Sequence, residues 1–134
     1  MKKVTAIIER GSDGRYSIYI EDLKYQYGII GVGDSVKEAE QDFFDGYTEM
    51  KSYVESSGER FEEAEFSFKY DVPSFLQEFA YAFSLAGLQR ITGVNQKQLS
   101  HYISGYRHPS RKTVRKIENG VREFSVLLGS VKFL

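Results

Sequence analysis

The segment GVNQKQLSHYISGYRHPSRKT, residues 93–113, places the tightest local constraint on this 134-residue chain. Gly93 follows an apolar-periodic run, Leu85, Leu88 and Ile91, and supplies the flexible corner that a short turn between two helices requires. Asn95 is placed as an N-cap, its side-chain oxygen accepting from one of the unpaired amides of the next turn. Leu99, Tyr102 and Ile103 then recur at helical spacing, which predicts a short helix with one buried face. Gly105 ends that helix as its C′ residue. Beyond it Arg107, His108, Ser110, Arg111 and Lys112 surround Pro109 in a polar, mostly cationic loop, and Ser110 is placed to cap a further helix.

A helix buried through Leu99, Tyr102 and Ile103 leaves Gln96, Lys97, Gln98 and His101 outward. Glutamine can pair bidentately with adenine N6 and N7, and lysine can donate to guanine O6 or N7. A row of long donors near a helix N-terminus therefore suits the major groove of DNA. The cationic loop suits phosphates. The competing reading is a small helical domain whose third helix is simply a solvated face. Over roughly residues 84–118 the segment resembles the Cro/repressor type of helix-turn-helix, with its turn Gly, its capped and Gln-rich first recognition turn and its Gly-basic-x-Pro-Ser loop. The resemblance implies base reading by Gln96, Lys97, Gln98 and His101, and phosphate contact by Asn95, Arg107 and Arg111. Ser110 and Lys112 of the loop complete the expected phosphate-facing set. Gln89 stands where that family usually has a small Ala, four residues before the turn Gly.

With 41% hydrophobic and 15% aromatic residues, the chain can bury one modest core or two small ones. It has no cysteine, which excludes a disulfide framework and thiolate metal sites. The apolar run of the opening MKKVTAIIERGSDG is too short for a signal peptide, and no stretch is long enough to span a membrane, so the expected location is the cytoplasm. The net charge of −1 conceals a division near Pro73. Residues 1–71 carry 9 Lys+Arg against 16 Asp+Glu, whereas residues 72–134 carry 9 against 3. The expectation is two domains with these bounds, the basic one facing a polyanion and the acidic one a basic protein or solvent.

In the acidic half, residues 3–10 and 15–20 are rich in β-branched and aromatic residues around the turn formers Ser12, Asp13 and Gly14, which predicts a hairpin. A third strand is predicted from Tyr27 to Val32, its glycines marking an irregular or closely approached course. Ser35 is placed as an N-cap with Glu38 as its capping-box partner. Val36, Ala39, Phe43, Tyr47, Met50 and Val54 then form the apolar stripe of a helix of about 20 residues. Its water-facing side would carry Lys37, Glu40, Asp42, Asp45, Glu49 and Lys51. Phe66 to Tyr70 alternates and returns as a strand. The expected fold class is α+β: a small β-β-β-α-β domain followed by an all-α helix-turn-helix domain.

The opening strand, the Asp13-Gly14 turn, the strand with Tyr16, the Asp22-Leu23 pair and the Gly33-Asp34-Ser35 entry followed by Glu38-Ala39 resemble the HicB antitoxin N-terminal domain, a fold similar to part of ribonuclease H. The resemblance covers about residues 3–58, with KYQYGIIGVG after Leu23 where that family often has a Pro-Gly-Cys turn. It implies an antitoxin that masks a small, basic, RNA-cleaving HicA-like toxin with its N-terminal domain and represses its operon by binding a double-stranded DNA operator. Asp22, Tyr25 and Tyr27 are the expected toxin-facing residues. A stand-alone regulator whose first domain oligomerises or senses a ligand is the alternative.

No catalysis and no cofactor or metal are expected. Glu9, Asp22 and Asp34 are dispersed, and His101 and His108 have no carboxylate at ligand spacing. A homodimer or larger assembly is expected, because single helix-turn-helix units bury little area on DNA and the tail from Val121 to Leu134 is rich in apolar residues. Asn119-Gly120 marks an expected helix boundary.

Overall fold

Strict alternation of apolar side chains builds the first half of the chain. Val4, Ala6, Ile8, Tyr16 and Ile18 all point to one side and are buried. They lie on β1 (Lys2–Arg10) and β2 (Tyr16–Ile20), followed by β3 (Ile30–Gly33), α1 (Val36–Ser56) and β4 (Ala64–Tyr70). The computed structural model describes all residues from Met1 to Leu134. The strands form one sheet in the order β3-β2-β1-β4, in which β1, β2 and β3 are antiparallel neighbours and β4 runs parallel to β1. β3 and β4 therefore run in the same direction at opposite edges of the sheet, only a crossover can join them, and α1 is that crossover.

Phe43 on α1 is fully buried and meets Phe66 and Phe68 edge-on at 4.9 and 5.6 Å, the arrangement that opposes ring edge to ring face. Gly31 lets α1 lie this close to β3. A Cβ there would sit 2.2 Å from the Ala39 carbonyl oxygen. The N-cap forms as expected, with Ser35 Oγ accepting from the Glu38 amide at 3.1 Å. Glu38 closes the reciprocal bond on the amide of Asp34 at 2.9 Å instead of on that of Ser35.

Two expectations for this unit change. β3 starts at Ile30, not at Tyr27, because the preceding aromatics are used elsewhere. The Tyr25 hydroxyl donates to the Glu62 carbonyl at 2.9 Å, and the Tyr27 hydroxyl accepts from the Glu62 amide at 3.0 Å while its ring stacks on Phe61 at 4.6 Å. These bonds pin the segment before β4 and pull residues 25–27 off the ladder. Asp42 is exposed, as its helix face requires, but it also reaches the sheet: its Oδ2 accepts from the Val32 amide at 2.8 Å.

The chain divides into compact units at Met1–Ser74 and Phe75–Leu134, three residues beyond the expected 71/72 junction. Pro73 lies in the first turn of α2 (Val72–Glu78), where a missing N–H is harmless, and Asp71 Oδ1 accepts from the Ser74 amide at 2.9 Å. Ser74 Oγ in turn accepts from the Arg10 amide at 2.8 Å, which ties this turn to β1.

The second unit continues with α3 (Leu85–Thr92), α4 (Gln96–Ser104) and α5 (Arg111–Gly129). Leu76, Leu88, Val94, Leu99, Tyr102 and Ile117 form its buried interior. The expected helix boundary at Asn119-Gly120 is absent, and α5 runs straight through. Gly120 is buried, and a Cβ on it would lie 2.5 Å from the Ile91 carbonyl oxygen, so the glycine marks where α5 crosses α3. Val126, Leu127, Leu128, Val131 and Phe133 are exposed at the end of α5 and in the tail. No helix is long and apolar enough to cross a membrane.

Candidate nucleic-acid interface

The corner between α3 and α4 is closed by short-range bonds. Gly93 adopts a left-handed φ of 73°, and its amide donates to the Gln89 carbonyl at 2.8 Å. The buried Thr92 hydroxyl donates to the Leu88 carbonyl at 2.7 Å and accepts from the Val94 amide at 3.1 Å, which fixes the turn and leaves no buried polar group unpaired there. Asn95 Oδ1 accepts from the Lys97 amide at 2.8 Å, as an N-cap should.

Gln89 supplies what the expected Ala could not. Its Oε1 accepts from the Gln96 amide at 2.8 Å, so a residue of α3 caps α4 from outside and holds the two helices in register. Its side chain lies exposed beside the junction, and the crossing does not need a small residue at this position.

Gln96, Lys97 and Gln98 are exposed on the first turn of α4, and His101 is half-buried one turn later. Gln98 Oε1 accepts from the Tyr102 hydroxyl at 2.7 Å, which orients the carboxamide and leaves its NH2 as the group able to donate away from the helix. His101 lies edge-on to Tyr106 at 5.0 Å, and the Arg107 guanidinium lies over the Tyr106 ring at 5.4 Å from its centroid. Tyr106 is 69% exposed. Histidine, tyrosine and arginine therefore form one contiguous cluster at the exit of α4.

These residues border a concavity of about 950 Å³ lined by Asn95, Lys97, Gln98, His101, Tyr102, Tyr106, Arg107, His108, Ser110 and Thr113. Both helix caps, Asn95 and Ser110, belong to the lining, so the positive ends of α4 and α5 open onto it. Ser110 Oγ accepts from the Thr113 amide at 3.3 Å. No acidic side chain lines the concavity, and Glu118 is paired with Arg122 at 3.7 Å along α5. The site is cationic, rich in donors and shaped to receive an anion.

Of the nine residues expected to face DNA, six line this concavity: Asn95, Lys97, Gln98, His101, Arg107 and Ser110. Gln96, Arg111 and Lys112 are exposed but lie outside its lining. Tyr102, Tyr106, His108 and Thr113 complete the lining. An aromatic residue immediately after a helix-ending glycine, with basic residues following, was the available signal for Tyr106.

The residues expected to face a protein partner fare differently. Tyr25 is only 5% exposed, and burial pushes its phenol well above the ordinary value, so the hydroxyl remains a donor to Glu62. Tyr27 is half-buried with its ring and hydroxyl both engaged. Both rings take part in packing, and Tyr25 keeps almost no exposed surface. Asp22 closes a local turn by accepting from the Lys24 amide at 2.9 Å, and Leu23 beside it is the fully exposed apolar residue of this loop. Nowhere do three His, Asp or Glu side chains gather as a metal site would require.

No curated protein and no solved structure matches the chain. Residues 82–122, which span α3, α4 and the first part of α5, match the family model described as helix-turn-helix. The C-terminal unit thus carries a helix-turn-helix of the Cro/repressor class, the module of DNA-binding transcriptional regulators.

Proposed function

We propose that the protein is an autoregulating antitoxin of the HicA/HicB type: it reads a double-stranded DNA operator through α4 and neutralises a small basic RNA-cleaving toxin through its N-terminal unit. The observation that carries the DNA half is the acid-free concavity bounded by two capped helix N-termini. Gln96, Lys97, Gln98 and His101 read bases, and Asn95, Arg107, Ser110, Arg111 and Lys112 hold phosphates. The Tyr106 ring, in contact with both His101 and Arg107, keeps the imidazole and the guanidinium at the rim. The protein acts by binding alone, in the cytoplasm, as a homodimer or larger assembly to which the exposed apolar end of α5 and the tail contribute an interface.

The antitoxin half rests on the resemblance to the HicB domain and on the charge of the first unit. The four-stranded sheet with one crossover helix is the outline that resemblance implies, and its residues carry the excess of carboxylates. Charge complementarity with a basic toxin speeds encounter and favours the right partner.

Co-expression with the neighbouring open reading frame, followed by size-exclusion chromatography and a salt-titrated shift assay on the promoter, tests the reading. A small basic protein that co-elutes, together with specific DNA binding, is the expected outcome. DNA binding without a co-eluting partner would instead identify a stand-alone regulator.

A further inference from the structure

The two edges of the sheet are treated differently. At the β3 edge the outward amide of Val32 is occupied by the Asp42 carboxylate at 2.8 Å, a charged guard against strand pairing. At the β4 edge the parity of the ladder can be read from its ends. Glu63 accepts from the Lys2 amide at 3.2 Å, and the Asp71 amide donates to the Ile8 carbonyl at 3.4 Å. Odd-numbered residues of β4 therefore turn their backbone groups to β1, and Phe66 and Phe68 turn theirs outward. Ala64, at the start of the strand, has its outward amide covered by the Tyr47 hydroxyl at 3.1 Å. No charged side chain closes the amides of Phe66 and Phe68.

The residues of this open edge are complementary to their own reverse. In AEFSFKY, reading outward from Ser67 pairs Phe66 with Phe68 and Glu65 with Lys69. An antiparallel pair of two such strands centred on Ser67 sets Phe66 of each copy opposite Phe68 of the other. Both residues have outward-facing backbone groups, so these become hydrogen-bonded pairs. Ser67 opposite Ser67 and Glu65 opposite Lys69 become non-hydrogen-bonded pairs, in which side chains approach most closely. Glu65, Ser67 and Lys69 are all exposed, and Phe44, 43% exposed, lies 5.7 Å from Phe68 as further apolar surface beside the edge.

We infer that β4 is a docking edge for a second copy of this chain, which joins two four-stranded sheets into one through a twofold axis at Ser67. The charges argue for this occupant: a strand paired with itself in this register gains two opposite-charge contacts. The proposal is independent of DNA binding and of any toxin.

Because the chain has no cysteine, disulfide trapping in the full-length protein reports the register directly. Across the axis the Cα atoms of a non-hydrogen-bonded pair are about 4.5 Å apart, within the range a disulfide bridges. Ser67→Cys is expected to form a covalent dimer under mild oxidation, and Glu65→Cys, whose own copy lies off the axis, is expected not to. Adding Lys69→Glu to the Ser67→Cys chain should lower trapping by about tenfold through two like-charge contacts, and adding Glu65→Lys as well should restore it. Equal trapping at 65 and 67, no trapping at 67, or no restoration by the double swap would overturn the proposal and leave the edge to another protein's strand.

Discussion

The two units of this chain use their sequence in opposite ways. The sheet unit gathers most of its aromatic residues around Phe43, Phe66, Tyr25 and Tyr27 and leaves an acidic exterior. The helical unit has few buried aromatics and relies on caps and turns, and it leaves cations and amides outward at α4 and the following loop. The difference teaches where each unit holds its specificity. In the first it lies in long-range packing that brings Tyr25 and Tyr27 to Phe61 and Glu62, and in the second in bonds between residues a few positions apart.

The largest effects should come from the two glycines at close approaches, and they should separate the units. Gly31→Val and Gly120→Val each force side-chain atoms into backbone oxygens, and each is expected to destabilise its own unit by about 3 kcal/mol, the upper end of the usual cost of overpacking. Hydrogen exchange read amide by amide checks this: Gly120→Val should expose α3 to α5 and abolish DNA binding while β1 stays protected, and Gly31→Val should do the reverse. Simultaneous loss of protection in both units by either variant would refute the division.

Smaller effects sharpen the comparison on the basic side. Lys97→Ala should weaken binding to a selected duplex by about 1 to 3 kcal/mol and relax preference at one base position, as measured by competition binding. Arg111→Ala should weaken all duplexes alike and flatten the salt dependence by about one unit of slope. Asn95→Ala removes the cap of α4, and a loss of about 1 kcal/mol in the urea unfolding free energy is expected. On the acidic side Tyr25→Phe removes the donor to Glu62 and should lower stability by a similar amount, about 1 kcal/mol.

The smallest expected effect is one of pH. Lys51 donates to Glu63 at 2.7 Å, and that bond lowers the Glu63 pKa and raises that of Lys51. A lowered carboxylate pKa contributes stability that is complete above the ordinary carboxylate value and is lost as pH falls through the lowered one. Lys51→Met should therefore unfold slightly more easily than the parent at neutral pH, and the two urea midpoints should converge in acid. Both groups are well exposed, so the difference is small.

How much was legible in the sequence follows the same contrast. The helix caps Ser35, Asn95 and Ser110 and the helix end at Gly105 were readable because each depends on neighbours in sequence. The start of β3 was not, since Tyr25 and Tyr27 are drawn away by Glu62 and Phe61, more than 30 positions along. Gly120 signalled a break because a glycine inside a helix is locally unfavourable, and its real cause is the passage of α3. Asp42 was placed on the correct helix face, but its bond to Val32 depends on how α1 lies over the sheet edge. Of the site, the first turn of α4 could be read directly, whereas the contacts of His101 and Arg107 with Tyr106 appear only once the chain turns at Gly105.

The central claim is that α4 and the loop after it read DNA while the acidic unit stays off it. Selection of bound duplexes from a random pool by the full-length protein, repeated with Lys97→Ala and over a range of salt, tests this most directly. A single enriched sequence, a binding constant that falls steeply with salt, and a changed base preference in the variant are the expected result. Enrichment of no sequence, or of the same sequence with unaltered preference in the variant, would contradict the account.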